Sequence, residues 1–152
     1  MEIIKQIWRG KGVPEKSRKA LISPIYKKGN KTDVKSYRGI SLLDTTYKVY
    51  AAILSDKLRQ EVEEKCLLPD SQAGFRKSRS TIDNIYALNY LIEKVISKTG
   101  GSLYAFFIDF SAAFDTINRP MLWRAMQKMS ITEAIRSRIE NIYADTTCIV
   151  KI

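Results

Sequence analysis

Two long segments with apolar residues at helical spacing take up much of this chain. In "TTYKVYAAILSDKLRQEVEEKCL", residues 45–67, apolar side chains recur at 47, 50, 54, 58 and 62, with Thr45 or Thr46 placed to cap the helix. The second opens at Ser80, where Asp83 three residues later matches a capping box. It runs to about Ser97 with Ile82, Ile85, Leu88, Ile92 and Val95 on one face. Between them, "LPDSQAGFRKSR" is a basic loop punctuated by Pro and Gly. With the strands read below, the fold class expected is α+β, mainly helical with a few short strands.

The remaining segments are shorter. "MEIIKQIWRGKG" predicts a short helix stopped by Gly10 and Gly12, and "RKALISPIYKK" (18–28) a strand followed by the turn "GNKTD". "KTGGS" ends the second long helix, and Gly100–Gly101 is the boundary the sequence suggests. Beyond it, "LYAFFID" predicts a short buried strand. Asn118 and Pro120 predict a helix start, Ser130 with Glu133 a second capping box opening a helix to about Tyr143, and "TTCIVKI" a β-prone close. There is no internal repeat.

Composition narrows the chemistry. A hydrophobic fraction of 45% supports a packed core. No apolar run approaches the roughly 20 residues that span a bilayer. The chain has no histidine, which excludes Ser-His-Asp triads and histidine-bound metals. Cys66 and Cys148 lack any paired spacing, which argues against a disulfide framework and for a reducing, intracellular setting. Any metal would be a hard, oxygen-bound one such as magnesium or manganese. The net charge of +10 is concentrated: residues 1–48 carry twelve Lys and Arg against four acids. That asymmetry fits a localised face for a polyanion as well as it fits simple solubility.

"FFIDFSAAFDTINRP" places Asp109 at the end of an apolar run and Asp115 six residues later. On one strand, six residues at roughly 3.3 Å each would hold the two carboxylates about 20 Å apart. On one helix, steps of about 100° would put them some 240° apart around the axis. Neither arrangement serves metal ions roughly 4 Å apart; a sharp turn between them could rescue the pair, but the simpler reading is one ligand, Asp109, at a strand end. Taken alone, Asp109 also reads as a turn cap, and Asp115 as a helix N-terminal charge. "IYADTT" looks like the Tyr-x-Asp-Asp turn of polymerases. However, Thr146 replaces the second aspartate, and a helical stretch rather than a strand precedes Asp145.

Four blocks in order carry a resemblance: "WRGKGVPEKSRKALISPIYKKGN", "YRGISLLDTTYKVYAAILSDKL", "QAGFRKSRSTIDNI" and "FFIDFSAAFDTINR". Together they span nearly the whole chain. It resembles the amino-terminal part of a reverse transcriptase domain from a non-LTR (LINE-like) retrotransposon. The resemblance implies the fingers and an incomplete palm of a right-hand polymerase, with fingers at 1–100 and partial palm at 101–152, truncated before the Asp-Asp hairpin. It implies RNA-directed DNA synthesis from an RNA template and a DNA primer with deoxynucleoside triphosphates, using magnesium or manganese in the full domain.

By the same resemblance, Asp109 is the first metal-binding catalytic carboxylate. Lys27, Lys28, Arg38, Phe110 and Phe114 meet the nucleotide, with Phe114 excluding a ribose 2′-hydroxyl. Gln72, Gly74, Phe75, Arg76, Lys77 and Arg79 lie along template and primer. Ser17, Gly39 and Asn30 depart from the family's usual Trp, Pro and Asp. With one of two carboxylates present, the expectation for this chain is that it does not polymerise alone. A non-catalytic RNA- or DNA-binding module is the alternative, and a nuclease using Asp109, Asp115 and Asp145 a remote third. The strand "AFFI" would offer an unpaired palm edge for self-association.

Overall fold

The structure, a computed structural model, describes residues 2–144 and 146–151. Its elements are helix α1 (Glu2–Gln6), strand β1 (Lys19–Tyr26), strand β2 (Tyr37–Leu42), helix α2 (Thr45–Glu64), helix α3 (Thr81–Ile96), helix α4 (Arg119–Lys128), helix α5 (Glu133–Tyr143) and strand β3 (Thr147–Val150). The chain is α+β, as expected. It divides into two compact units, one of residues up to 61 together with those from 123 onward, the other of residues 62–122.

The first unit contains a three-stranded sheet in the order β2-β1-β3. β1 and β2 pair antiparallel, from Leu21 opposite Leu42 to Tyr26 opposite Tyr37, and β3 lies parallel to β1, from Lys19 opposite Thr147 to Ile22 opposite Val150. The link between β1 and β2 is built from local hydrogen bonds. Asn30 Oδ1 accepts from the Thr32 backbone at 3.0 Å, Asp33 Oδ1 accepts from Lys35 N at 2.9 Å, and Lys27 N donates to the Ser36 carbonyl at 2.8 Å. Gly39 sits opposite Pro24; a Cβ there would come within 3.0 Å of Ile22 Cγ2, so the missing side chain makes room for Ile22.

α1 runs into a wide π turn, Ile7–Lys11, which breaks where Gly10 takes φ 86°. Ile7, Val13, Tyr50, Leu54 and Ile142 form the core, with Ile4, Trp8, Tyr47, Ala51 and Ile139 packed against it. The buried face of α2 follows the predicted stripe through Tyr50 and Leu54, then ends on Glu61 rather than Val62. The reason is electrostatic: Glu61 Oε1 accepts from Thr132 N at 2.7 Å and Thr132 Oγ1 at 2.6 Å, so a buried carboxylate is paired with donors at the start of α5.

Two predicted caps are corrected. The residue capping α2 is Asp44, whose Oδ1 accepts from Thr46 N at 2.9 Å, rather than Thr45 or Thr46. Ser130 and Glu133 make no capping box; Thr132 precedes α5, and Ser130 has φ 58°. Ser130 instead closes α4. Its N–H bonds to the Gln127 carbonyl at 2.9 Å and that of Ile131 to the Met126 carbonyl at 3.0 Å, a Schellman closure with Met126 and Ile131 both buried. In the second unit, α2 ends the same way: Cys66 has φ 50°, and Leu67 N bonds to the Val62 carbonyl at 3.0 Å.

The second unit continues from α2 through the basic loop into α3. The Ser80–Asp83 capping box is present, Asp83 accepting from Ser80 N at 2.6 Å. Of the predicted α3 stripe, Leu88, Ile92 and Val95 are half-buried while Ile82 and Ile85 are exposed. Gly101 is required by packing, because a Cβ there would stand 1.9 Å from the Val95 carbonyl oxygen. The predicted strand "LYAFFID" does not form. Residues 102–110 are neither helix nor strand, and Tyr104, Phe106, Phe107 and Ile108 are exposed. A β-prone run becomes a strand only where a neighbouring backbone offers a ladder, and no described residue does so here. Among the described residues, no helix is long and apolar enough to cross a membrane.

Candidate functional site

The residues singled out in the sequence fall in both units. Lys27, Lys28 and Arg38 belong to the first, and Asp109, Phe110, Phe114 and the 72–79 loop to the second.

In the first unit, strand pairing builds the candidate site. Lys27 and Lys28 follow β1 directly, and Arg38 sits on β2 opposite Ile25. All three are exposed, and none has an ion-pair partner among the described residues. Lys31 and Lys35 lie on the same link and are exposed too, against one acid, Asp33. The hairpin end is therefore a concentrated, solvated cationic surface suited to phosphate oxygens.

Ser17, where the family pattern has Trp, leaves no loose spot. It is buried and donates from Oγ to Asp44 Oδ1 at 2.8 Å. That bond, with those from the Thr46 and Tyr47 backbone, holds the Asp44 carboxyl below the usual carboxylate range despite some desolvation. Asp44 was not among the anticipated residues. The signal was available, since an Asp just ahead of a helical run is a standard cap, but two adjacent threonines compete for the role.

In the second unit, Arg76 organises the loop. Its Nε and Nη2 donate to Glu63 Oε1 and Oε2 at 2.9 and 2.8 Å, and Nη1 donates to the Pro69 carbonyl at 2.9 Å. This two-pronged contact holds the Glu63 carboxyl below its usual range. Arg76 is thus committed to the loop's own architecture. Arg79 pairs with Asp70 at 3.2 Å, and Lys77 is exposed. Gln72 is half-buried; Gly74 is exposed with open space around it. Phe75, beside Arg76, has φ 63° and is 86% exposed, an aromatic ring held out in solvent by a backbone conformation that a bulky residue rarely adopts.

Asp109 does not close a strand. It lies in the irregular segment after α3, exposed, and Phe110 and Phe114, which follow in the sequence, are exposed too. The chain does turn between the two aspartates: Asp115 N and Thr116 N both bond to the Ala112 carbonyl, at 3.0 and 3.1 Å. Neither carboxylate has a hydrogen-bond or ion-pair partner among the described residues. No group of three His, Cys, Asp or Glu able to hold a metal gathers among the described residues. Asp145, the third acid of the nuclease reading, lies outside them. A single exposed carboxylate does not complete a site for magnesium, which demands octahedral oxygen ligation and keeps several waters.

Comparison with known proteins gives the family. Residues 25–150 match the model for reverse transcriptase (RNA-dependent DNA polymerase). The chain is 29% identical over 150 residues, 99% of its length, to the Xenopus laevis "Transposon TX1 uncharacterized 149 kDa protein", of which it covers 11%. It is 32% identical over 117 residues, 76% of its length, to the Drosophila melanogaster "Probable RNA-directed DNA polymerase from transposon BS", of which it covers 13%. A Drosophila melanogaster relative named for transposon X-element is 28% identical over 100 residues, 64% of the chain and 11% of that protein. The chain thus spans only about a tenth of the length of these curated relatives. The family match and these relatives agree with the four sequence blocks: the chain belongs to the reverse transcriptase (RNA-dependent DNA polymerase) family, in its non-LTR retrotransposon branch.

Proposed function

We propose that residues 1–100 serve as fingers and residues 101–152 as the first part of the palm in an RNA-directed DNA polymerase. It would act on an RNA template and a DNA primer with deoxynucleoside triphosphates. The observation that supports this most is the family match through residues 25–150, which takes in the basic hairpin end, the 72–79 loop and Asp109. In this reading Lys27, Lys28 and Arg38 meet the triphosphate, because fixed exposed cations neutralise phosphate charge. Phe75 offers a ring on which a template base stacks, with Lys77 and Arg79 beside it on the strand's phosphates and Gln72 and Gly74 in the same loop. Arg76 positions that loop through Glu63. Phe114 excludes the ribose 2′-hydroxyl, Phe110 flanks the nucleotide, and Asp109 is one of two carboxylates for magnesium or manganese.

The donor set around Asp109 favours a second reading for the 152-residue chain itself: a nucleic-acid-binding piece without chemistry of its own. Primer extension on an RNA template with magnesium and deoxynucleotides tests this. The expected result is no extension, with the Asp109→Ala chain binding RNA as tightly as the parent. Extension by the parent that Asp109→Ala abolishes would overturn the inactivity. RNA affinity lost with Asp109→Ala would overturn the binding reading.

A further inference from the structure

A groove of about 420 Å³ lies in the first unit between α1, the Ile7–Lys11 turn and α2. Its lining is Ile4, Trp8 and Ile53, all half-buried, and Lys5, Arg9 and Lys57, all exposed. The sequence sets these side chains in rows one turn apart. Ile4 and Trp8 are four positions apart, as are Lys5 and Arg9, and Ile53 and Lys57 repeat that step on α2. Val49, one turn ahead of Ile53, is 46% exposed and extends the apolar row. The result is an apolar floor with cations along both of its sides.

Those cations are uncompensated. No acidic side chain lines the groove, and Lys5, Arg9 and Lys57 make no ion pair among the described residues. An apolar surface rimmed by one sign of charge marks an interaction site whose occupant brings the opposite sign.

The floor is also formed in advance. Ile4 and Trp8 pack against the core cluster that includes Tyr50 and Leu54. Arg138 stacks over the Trp8 ring at 4.4 Å and donates from Nη2 to the Trp8 carbonyl at 3.1 Å, while Tyr50 meets the ring edge to face at 6.4 Å. Trp8 is therefore a fixed wall, and an occupant need not order it.

The lining discriminates among occupants. A polyanion without apolar side chains would leave Ile4, Trp8 and Ile53 wet, and the ring face that Arg138 covers is closed to a stacking base. A neutral apolar occupant would leave three cations without a counter-charge. A helix whose apolar stripe is flanked by carboxylates meets both demands: anchors at i, i+3 and i+4 reach the floor, and the neighbouring acids meet Lys5, Arg9 and Lys57. We propose that this groove docks an acidic amphipathic helix of a partner protein. The site goes beyond the polymerase reading and uses none of the residues that reading assigns.

Fluorescence anisotropy with labelled peptides of about four helical turns tests it. The first probe carries Leu along one face and Glu beside it. The second replaces Glu with Lys, and the third keeps Glu but replaces Leu with Ala. The Glu/Leu peptide is expected to bind the chain saturably and at least about tenfold tighter than either control, since floor and rim both contribute. Lys5→Glu with Lys57→Glu, both on the surface, should weaken that binding at least about tenfold and favour the Lys/Leu peptide instead, without moving the melting temperature. Lys16→Glu with Lys128→Glu makes the same change of net charge at exposed positions outside the groove, and should leave the Glu/Leu peptide bound within about twofold. Equal affinities for the Glu/Leu and Glu/Ala peptides would reduce the contact to general attraction by a basic chain and overturn the proposal. So would no binding at about 1 mM, or equal losses in the two double variants. Single-stranded RNA or phosphatidylserine vesicles whose binding falls with Lys5→Glu and Lys57→Glu, while the peptide's does not, would give the groove to a polyanion or a membrane surface and overturn it too.

Discussion

The unit of residues 2–61 and 123–151 buries Ile7, Val13, Tyr50, Leu54 and Ile142 in one cluster, whereas the unit of residues 62–122 has only Ala73 buried among its described residues. The first is held by apolar packing among α1, the Ile7–Lys11 turn, α2 and α5. The second is held by directed polar contacts: Arg76 on Glu63, the Ser80–Asp83 box and the tight close of α3 on Gly101. Burying a Leu-sized side chain is worth about 1.5–3 kcal/mol, against about 1 kcal/mol net for a neutral hydrogen bond. The two units should therefore respond very differently to the same kinds of substitution.

The largest contrast should come from equivalent truncations. Leu54→Ala is expected to cost about 3 kcal/mol in equilibrium urea unfolding, while Ile85→Ala, at a 57% exposed α3 position, stays within about 0.5 kcal/mol. Similar costs would mean that α3 packs against something and that the contrast is false.

Next in size is nucleic-acid binding. Reversing Lys27, Lys28 and Arg38 together to Glu should weaken single-stranded RNA binding on the order of a hundredfold and reduce the salt slope by about two, at roughly 0.7 per phosphate contact. Reversing Lys77 and Arg79 should do less, since Arg79 already faces Asp70. Fluorescence anisotropy at several salt concentrations reads both. An unchanged slope in the first variant would move the contact surface to the second unit.

Smaller effects sharpen the picture. Ser130→Gly and Cys66→Gly each relieve a left-handed closing residue, worth about 1 kcal/mol. Only Ser130→Gly is expected to raise the global melting temperature, because the close of α2 at Cys66 lies in the weakly packed unit; hydrogen exchange near Cys66 should slow instead.

The smallest effect is acid sensitivity. Asp44 and Glu63 each have a lowered pKa in the folded chain, so the stability they confer is complete above the ordinary carboxylate range. It drains away as pH falls below about 4. Asp44→Asn should blunt that loss in the first unit and Glu63→Gln in the second, as read by amide exchange at pH about 3 and 6.

Much of this was legible in the sequence. α2 and α3 announce themselves because a 3.6-residue period and a Ser80–Asp83 spacing are local signals, and Asn118 caps α4 as its position predicts, Oδ1 accepting from Met121 N at 3.1 Å. Ser130 misled because Ser-x-x-Glu satisfies a capping box on paper, while the Met126–Ile131 contact makes the same residue the close of the preceding helix. Residues 103–108 misled for a different reason: strand propensity describes a surface ready to pair, and pairing needs a second backbone. Glu61 meeting Thr132 could not be read at all, since 71 positions separate them and neither residue type signals the other. For the candidate site, the four motif blocks located the residues, but nothing local could say that Arg76 would be spent on Glu63 or that Asp109 would stand exposed and unpaired.

The parallel pairing of Lys19 with Thr147 has a consequence for biosynthesis. β1 leaves the ribosome early, and at about 5–20 residues per second its second neighbour follows on the order of ten seconds later. Through that interval the nascent chain carries a hairpin with one flank open, a template for mispairing with other nascent chains. Pro24, which has no N–H to offer, sits on that hairpin just beyond the stretch that β3 later covers, and it shortens the length of open flank that a stray strand could zip along.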